Sequence, residues 1–367
     1  MNTRVPHDLA EAAHQQGFLP PLLTPDFSGQ RLPCQRAVDL ADAMRLAWAG
    51  RDRGPKFLAG GTELVELLQQ RVERPAALID ISRLPLAGID ALPGGGLRLG
   101  ALTTLADTAR HAAVSRRYAL LAQAILADGD ASLREAATLG GRLNQRTRCG
   151  FFRDASAPCG KREPGSVCSA LEAGITGGEH AVLGASEHCI AVHPTELGVA
   201  LAVLDATVQL MGPNGPREIA FSDYHRLPGD YPAHDNTLAF GELVTAIDLP
   251  AEAPVMQSSF LKVHGCEDEE SATISVAVVL AMDVETGCLD SARVAIGGVA
   301  HRPWRVHSAE ALLAGAQPGL ALFESVADAI LDGADQRGGG AFKTGLARRA
   351  VMQALDEASC RDALNRP

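Results

Sequence analysis

The chain has 367 residues, eight of them cysteine, with 33 Lys and Arg against 44 Asp and Glu and a formal net charge of -11. That length suits two or three folding units, each able to bury its own core, and the acidic balance, with only two Trp and three Tyr, excludes a nucleic-acid partner, which needs a basic face and stacking rings. No stretch approaches the run of about 18 apolar residues of a membrane span, and the amino terminus lacks an uninterrupted apolar core, so neither membrane insertion nor an export signal of its own is expected.

Residues 1–32 form a polar arm punctuated by proline, followed by an amphipathic helix over 38–49. Pro55 to Leu58 reads as a short strand running into the glycine turn Ala59-Gly60-Gly61-Thr62, and the helix expected over 63–72 carries Leu64, Leu67 and Leu68 at helical spacing. Strands are predicted at 77–81 and 97–100 and helices at 104–113 and 118–127. A second glycine turn, Ala137-Thr138-Leu139-Gly140-Gly141, follows. Glycine lets backbone N–H groups approach a phosphate closely, and a helix start adds partial positive charge, so the two turns could cradle one pyrophosphate. A Gly-Gly pair also serves as a plain turn, and each alone is weak. No G-x-G-x-x-G follows a strand, and the sequence over 338–344 lacks the glycine before Lys343 that a P-loop requires.

The segment 146–192 holds Cys149, Cys159, Cys168 and Cys189, spaced 10, 9 and 21 residues apart among glycines and prolines. Between Arg146 and Arg162, Arg146, Arg148, Arg153, Lys161 and Arg162 stand against Asp154 alone, a field expected to lower the thiol pKa values and favour thiolates. Structural zinc usually shows closely paired cysteines, about two to four residues apart, and none occurs here, so a cluster of [4Fe-4S] type ranks above zinc. Buried inert thiols or two disulfides are the plainer alternatives, the second weakened by the missing export signal. Cys34, Cys266, Cys288 and Cys360 are scattered singly and read as structural or incidental.

Beyond the loop, strands are predicted at 180–184 and 189–192, a helix at 195–204, and a strand at 207–211 ending in the turn Gly212-Pro213-Asn214-Gly215. His193 reads as a hydrogen-bonded turn histidine. A linker is expected at 250–254, then strands at 260–263, 274–282 and 293–299 and helices from Ser308 and Ser325. Helices and strands mix without a regular period, which makes the class α+β. Taken alone, Lys262 is a solvated strand-end lysine and Glu196 a helix-start carboxylate favoured by the dipole. No arrangement suited to hydrolysis is present.

Over residues 35–358 the chain resembles the FAD-binding subunits of molybdenum hydroxylases, the xanthine dehydrogenase and carbon monoxide dehydrogenase group. Ala59-Gly60-Gly61-Thr62-Glu63 looks like that family's first FAD pyrophosphate loop, and Ala137-Thr138-Leu139-Gly140-Gly141 like its second. Ser259-Phe260-Leu261-Lys262 and Gly297-Gly298-Val299-Ala300-His301-Arg302-Pro303 resemble landmarks of its C-terminal domain. The cysteine segment, with Cys159-Gly160-Lys161-Arg162 and His188-Cys189-Ile190-Ala191-Val192-His193-Pro194, is most similar to the FAD/[4Fe-4S] subunit of bacterial three-subunit aldehyde oxidoreductases.

The resemblance implies a vanillyl-alcohol-oxidase-like FAD-binding domain of two α+β subdomains over 33–252, carrying the iron–sulfur loop 146–192, and a smaller C-terminal α/β domain over 255–360. It implies FAD on Ala59, Gly60, Gly61, Thr62, Glu63, Thr138, Gly140, Gly141 and Glu196, with Lys262 near the flavin ring, and a [4Fe-4S] cluster on Cys149, Cys159, Cys168 and Cys189. Glu196 stands where the family usually has Asp, and Arg142 where it usually has Asn. The implied activity is electron transfer in a molybdenum-containing aldehyde oxidoreductase, from the [2Fe-2S] centres of a small subunit, fed by a large subunit with the molybdenum cofactor, to an external electron acceptor. The implied home is cytoplasmic, or periplasmic by co-export with a signal-bearing partner. The alternatives are the flavin subunit of an aromatic acyl-CoA reductase and a zinc-binding scaffold without flavin.

Overall fold

The computed structural model describes residues 32–174, 178–194, 196–251, 256–264, 273–335 and 339–360. The predicted amino-terminal arm up to Arg31, residues 252–254 of the predicted linker, and Cys266 lie outside them.

Three sheets organise the chain. The first is parallel, with β1 (Cys34–Arg36), β3 (Leu78–Asp80) and β2 (Lys56–Leu58) in the order β1-β3-β2. The central β3 is buried at every residue, as a strand flanked on both edges and covered by helix must be. Helix α1 (Leu40–Ala49) starts where the Asp39 side chain accepts the Asp42 amide, an N-cap that satisfies a donor the helix itself cannot. It buries Ala43 and Ala47, one helical turn apart, against Ile79 and Ile81. The short α2 (Leu64–Gln69) follows β2 through the first glycine turn.

The second sheet is antiparallel and five-stranded, ordered β4-β5-β8-β6-β7: β4 (Ile89–Ala91), β5 (Leu97–Gly100), β6 (Thr207–Gly212), β7 (Gly215–Ala220) and β8 (Leu243–Leu249). In β6, buried residues alternate with half-buried ones, so one face carries the core. Leu97, Leu99, Val208 and Leu210 pack there against Leu121 and Ile125 of α5 (Ala119–Ala127) and Leu197 and Leu201 of α10 (Glu196–Val203). Between them run α3 (Leu105–Arg110), α4 (Ala112–Arg117), α6 (Ala131–Ala136), α7 (Leu139–Leu143), α8 (Gly150–Arg153) and α9 (Ser169–Glu172).

The third sheet is antiparallel, ordered β12-β11-β10-β9: β9 (Met256–Val263), β10 (Ile274–Met282), β11 (Leu289–Gly297) and β12 (Trp304–Arg305). After the short α11 (His307–Glu310), helices α12 (Leu320–Ile330) and α13 (Gly340–Cys360) cover one face, where Val276, Val278 and Leu280 meet Phe323, Val351 and Leu355. The other face receives α10, through Val199 and Val203 against Ala277, Val279 and Ala295. Helix α10 is therefore apolar nearly all round, because it serves two sheets at once.

The segments 180–184 and 189–192, expected as strands, form none. Their backbone bonds go elsewhere: the Ala181 amide donates to the Ile190 carbonyl, and the Val182 and Leu183 amides share the Val299 carbonyl, so the far end of the cysteine loop is pinned to the C-terminal domain. Among the described residues, no helix is long and apolar enough to cross a membrane.

Candidate functional site

The two glycine turns come together at one cavity of about 340 Å³, within the usual size of a small-molecule site. Its lining includes Ala59, Gly60, Gly61, Thr62 and Glu63 from the first turn and Thr138, Gly140 and Gly141 from the second. Close packing explains the glycines. A Cβ on Gly60 would stand 2.0 Å from the Ala136 carbonyl oxygen, just ahead of the second turn, and one on Gly140 would stand 3.0 Å from the Ala101 Cβ. Gly61 has φ +74°, the left-handed region that glycine enters without strain.

The turns differ in what they offer. Among the described residues, nothing accepts from the N–H groups of Gly60, Gly61, Thr62 or Glu63, and four consecutive amides without protein acceptors at a cavity wall suit an anion. The second turn spends its amides internally: Leu139 donates to the Thr103 carbonyl, Gly140 to the Ala101 carbonyl at 2.8 Å, and Gly141 to the Thr138 hydroxyl at 3.2 Å. What it presents is a close wall and the Thr138 hydroxyl.

Charged side chains ring the cavity. Arg153 pairs with Glu63 at 2.7 Å and Glu66 at 2.9 Å, and Gln145 Nε2 donates to Glu63 at 3.2 Å. Burial raises the Glu63 pKa, and Arg153 partly opposes it. Arg146 also lines the cavity and bridges Glu73 and Asp235. The Asp235 carboxylate takes a second partner, the buried Lys161, whose Nζ donates to the Pro232 carbonyl at 2.8 Å.

Glu196 and Lys262 sit apart from this lining, where α5, α7, α10 and β9 meet. Their charged atoms are 3.6 Å apart, and Lys262 Nζ donates to the Ala127 carbonyl at 2.6 Å. Asp128, next along the chain, is bonded by Arg142 Nε at 2.7 Å, directly after the second glycine turn. Glu196 is buried, and its carboxyl is pushed up to about 7, first by desolvation and then by Asp128, with Lys262 opposing.

The four cysteines converge on one region without closing on a single ion. Cys159 and Cys168 form a backbone bridge, and Ser186 and Cys189 another. Cys149 Sγ lies 3.9 Å from His180 Nε2, and Cys189 Sγ 3.3 Å from His301 Nε2. Among the described residues, no three His, Cys, Asp or Glu side chains stand as a group that could hold a metal ion. The basic collar does not lower Cys149 or Cys189 as the composition led one to expect. Burial raises Cys149, and it pushes Cys189 up to about 12 against the opposing charge of Lys161. Desolvation outweighs the collar, whose charges are engaged besides: Arg146, Arg153 and Lys161 on carboxylates, Arg162 on the carbonyls of Phe151, Phe152 and Ala157. His193 also departs from expectation. Its buried ring packs 4.1 Å from that of His225, and among the described residues neither nitrogen has a hydrogen-bond partner.

Sequence reasoning missed Asp128, Glu73 and Asp235. Each is a single carboxylate far along the chain from its arginine, and no local spacing marks such pairs.

Residues 27–252 match the FAD binding domain in molybdopterin dehydrogenase, and residues 259–358 match the CO dehydrogenase flavoprotein C-terminal domain. The chain belongs to this family of FAD-binding oxidoreductase subunits. It is 42% identical over 314 residues to the aldehyde oxidoreductase FAD-binding subunit PaoB of Escherichia coli strain K12, across 84% of this chain and 93% of that one. It is 27% identical over 313 residues to the carbon monoxide dehydrogenase medium chain of Hydrogenophaga pseudoflava, across 84% of this chain and 90% of that one. Among solved structures, a chain of carbon monoxide dehydrogenase from Hydrogenophaga pseudoflava superimposes with TM-score 0.69 at 24% identity, covering 90% of this chain and 98% of that chain, a likeness of fold.

Proposed function

We propose that this chain is the FAD- and [4Fe-4S]-carrying electron-transfer subunit of a molybdenum-containing aldehyde oxidoreductase. The observation that carries the reading is the cavity on which both glycine turns converge, with the amides of Gly60, Gly61, Thr62 and Glu63 open to an anion. Those amides would hold the pyrophosphate, with the Thr138 hydroxyl donating from the facing wall. Glu196 would accept from a ribityl hydroxyl. Lys262 would place positive charge by the flavin ring, favouring the reduced, more negative form. Bound there, FAD would supply one- and two-electron exchange.

The donor chemistry of Cys149, Cys159, Cys168 and Cys189 fits an iron–sulfur cluster. A single ion needs its donors about 2.3 Å from one point, a geometry these thiols do not make, whereas a body of four irons holds its ligands farther apart. Metal would have to displace the protons that burial holds on Cys149 and Cys189, which is the ordinary coupling of binding to proton release. The likeness to an aldehyde oxidoreductase subunit supports a large partner with the molybdenum cofactor and a small partner with [2Fe-2S] centres, electrons leaving through this chain to an external acceptor.

The test is anaerobic purification, followed by flavin, iron and sulfide analysis of the parent and of Cys159→Ser. About one FAD and four irons with four sulfides per chain are expected, the iron largely lost in the variant. One zinc without labile sulfide, or no flavin, would overturn the corresponding half of the reading.

A further inference from the structure

The cavity and the cysteine loop share their charged residues. Two cavity-lining carboxylates, Glu63 and Glu73, are paired with Arg153 and Arg146, which flank Cys149 on either side. Arg146 continues to Asp235, itself in the cavity lining, and Asp235 continues to Lys161, which follows Cys159 by two residues and has a side chain 1% exposed. The loop also contributes lining of its own, Gln145 and Arg146. Phe152, under the Arg146 guanidinium at 4.8 Å, is packed with Leu67 of α2, the helix that leaves the first glycine turn. Three basic residues of the loop, Arg146, Arg153 and Lys161, are therefore each anchored on a carboxylate that lines the cavity, Arg153 also holding Glu66 and Lys161 the Pro232 carbonyl.

We propose that the flavin cavity and the cysteine loop are one cooperative unit, in which FAD tightens residues 145–163 and a loosened loop weakens FAD, with Glu63–Arg153 and Glu73–Arg146–Asp235–Lys161 as the coupling. This rests on the reading of the cavity as the FAD site. A phosphate on the open amides sits beside the Glu63 carboxylate, and Arg153 is the charge that keeps those two anions together. Breaking such a half-buried pair leaves one charge uncompensated, which costs more than the pair contributes. Arg146 has the same role deeper in the wall. Coupling of this kind is reciprocal: whatever the loop contributes to FAD affinity, FAD returns to the order of the loop. Arg146 and Arg153 are positioning residues in this scheme, acting through carboxylates and not on the flavin ring.

The experiment is amide hydrogen exchange on the full chain with and without FAD, paired with FAD affinity by flavin fluorescence. Saturating FAD is expected to slow exchange across 145–163 by about ten-fold while leaving β10 and β11 unchanged. Arg153→Met should weaken FAD about ten-fold, Glu63→Gln, which removes one of the two anions, should cost little by itself and reduce that loss in the double variant, and Arg153→Lys should recover most of it. FAD that binds while loop exchange stays the same, or single losses that simply add, would overturn the coupling and leave the FAD site standing. Failure of the parent chain to take up FAD would sink both.

Discussion

At the scale of single residues, the two glycine turns make a graded prediction. A Cβ at position 60 meets a backbone carbonyl at 2.0 Å, which cannot turn aside, whereas one at position 140 meets another Cβ at 3.0 Å, a contact that small shifts relieve. Gly60→Ala is therefore expected to destabilise the chain by about 2–3 kcal/mol and abolish FAD retention, while Gly140→Ala costs about 1 kcal/mol and keeps most of the flavin. Urea unfolding and the flavin absorbance of purified protein check this order. Glu196 gives the second prediction. Its folded pKa, about 7, lies above that of a free carboxyl, so between roughly pH 4.5 and pH 7 the folded state holds more protons than the unfolded one, and stability falls as pH rises through that window. Glu196→Gln should remove that slope in the flavin-free protein, gaining about 1–3 kcal/mol relative to the parent at pH 8 and little at pH 4.5. Equal pH profiles for the two proteins would contradict it. The glycines of both turns were legible in the sequence as residue types, although only the first joins a strand to a helix, while the second opens α7 directly after α6. The partners of Glu196 were not, since Asp128 and Lys262 are brought to it by tertiary packing alone.

At the scale of elements, the second glycine turn depends on Thr138. Its hydroxyl accepts the Gly141 amide and caps α7, and the same residue lines the cavity. Thr138→Ala is expected to lose about 1 kcal/mol of stability with the cap and to weaken FAD about ten-fold, whereas Thr138→Ser, which keeps the hydroxyl, should do neither. Unfolding midpoint and flavin fluorescence separate the two effects. Sequence patterns located β2, α2, α5, α10, β9, β10 and β11, some by helical spacing and others by apolar runs bounded by turn residues. They failed over 180–192. Ala181, Val182, Leu183 and Ile190 are buried and apolar enough to mimic strands, but the amides of Ala181, Val182 and Leu183 answer to the Ile190 and Val299 carbonyls, and a short apolar run does not announce whether its neighbour will be a sheet or a single turn. The charge count of the cysteine loop misled for a related reason. It records how many arginines are present, while the thiol pKa depends on where those arginines point.

At the scale of the molecule, α10 ties the FAD-binding unit to the C-terminal sheet through its two apolar faces, and Glu196 at its start meets Lys262 from β9. A ligand running from the glycine turns past Arg142 towards this pair would touch both units. Nothing among the cavity side chains supplies a hydroxylating centre, so the chain loaded with FAD is expected to show no aldehyde-dependent bleaching of flavin absorbance on its own. Bleaching should appear when molybdenum and [2Fe-2S] subunits are added, and aldehyde reduction of the flavin without them would refute the relay. In that reconstituted complex Lys262→Ala removes the cation that β9 places beside Glu196. The reduced flavin then loses a favourable charge, so its potential should fall and its reduction by the [2Fe-2S] centres should slow by about ten-fold or more. On the proposed relay, reduction by aldehyde of a molybdenum centre in a partner subunit should keep its rate. A flavin potential unchanged by Lys262→Ala would place the ring away from β9 and leave Lys262 as a structural partner of Glu196 and the Ala127 carbonyl.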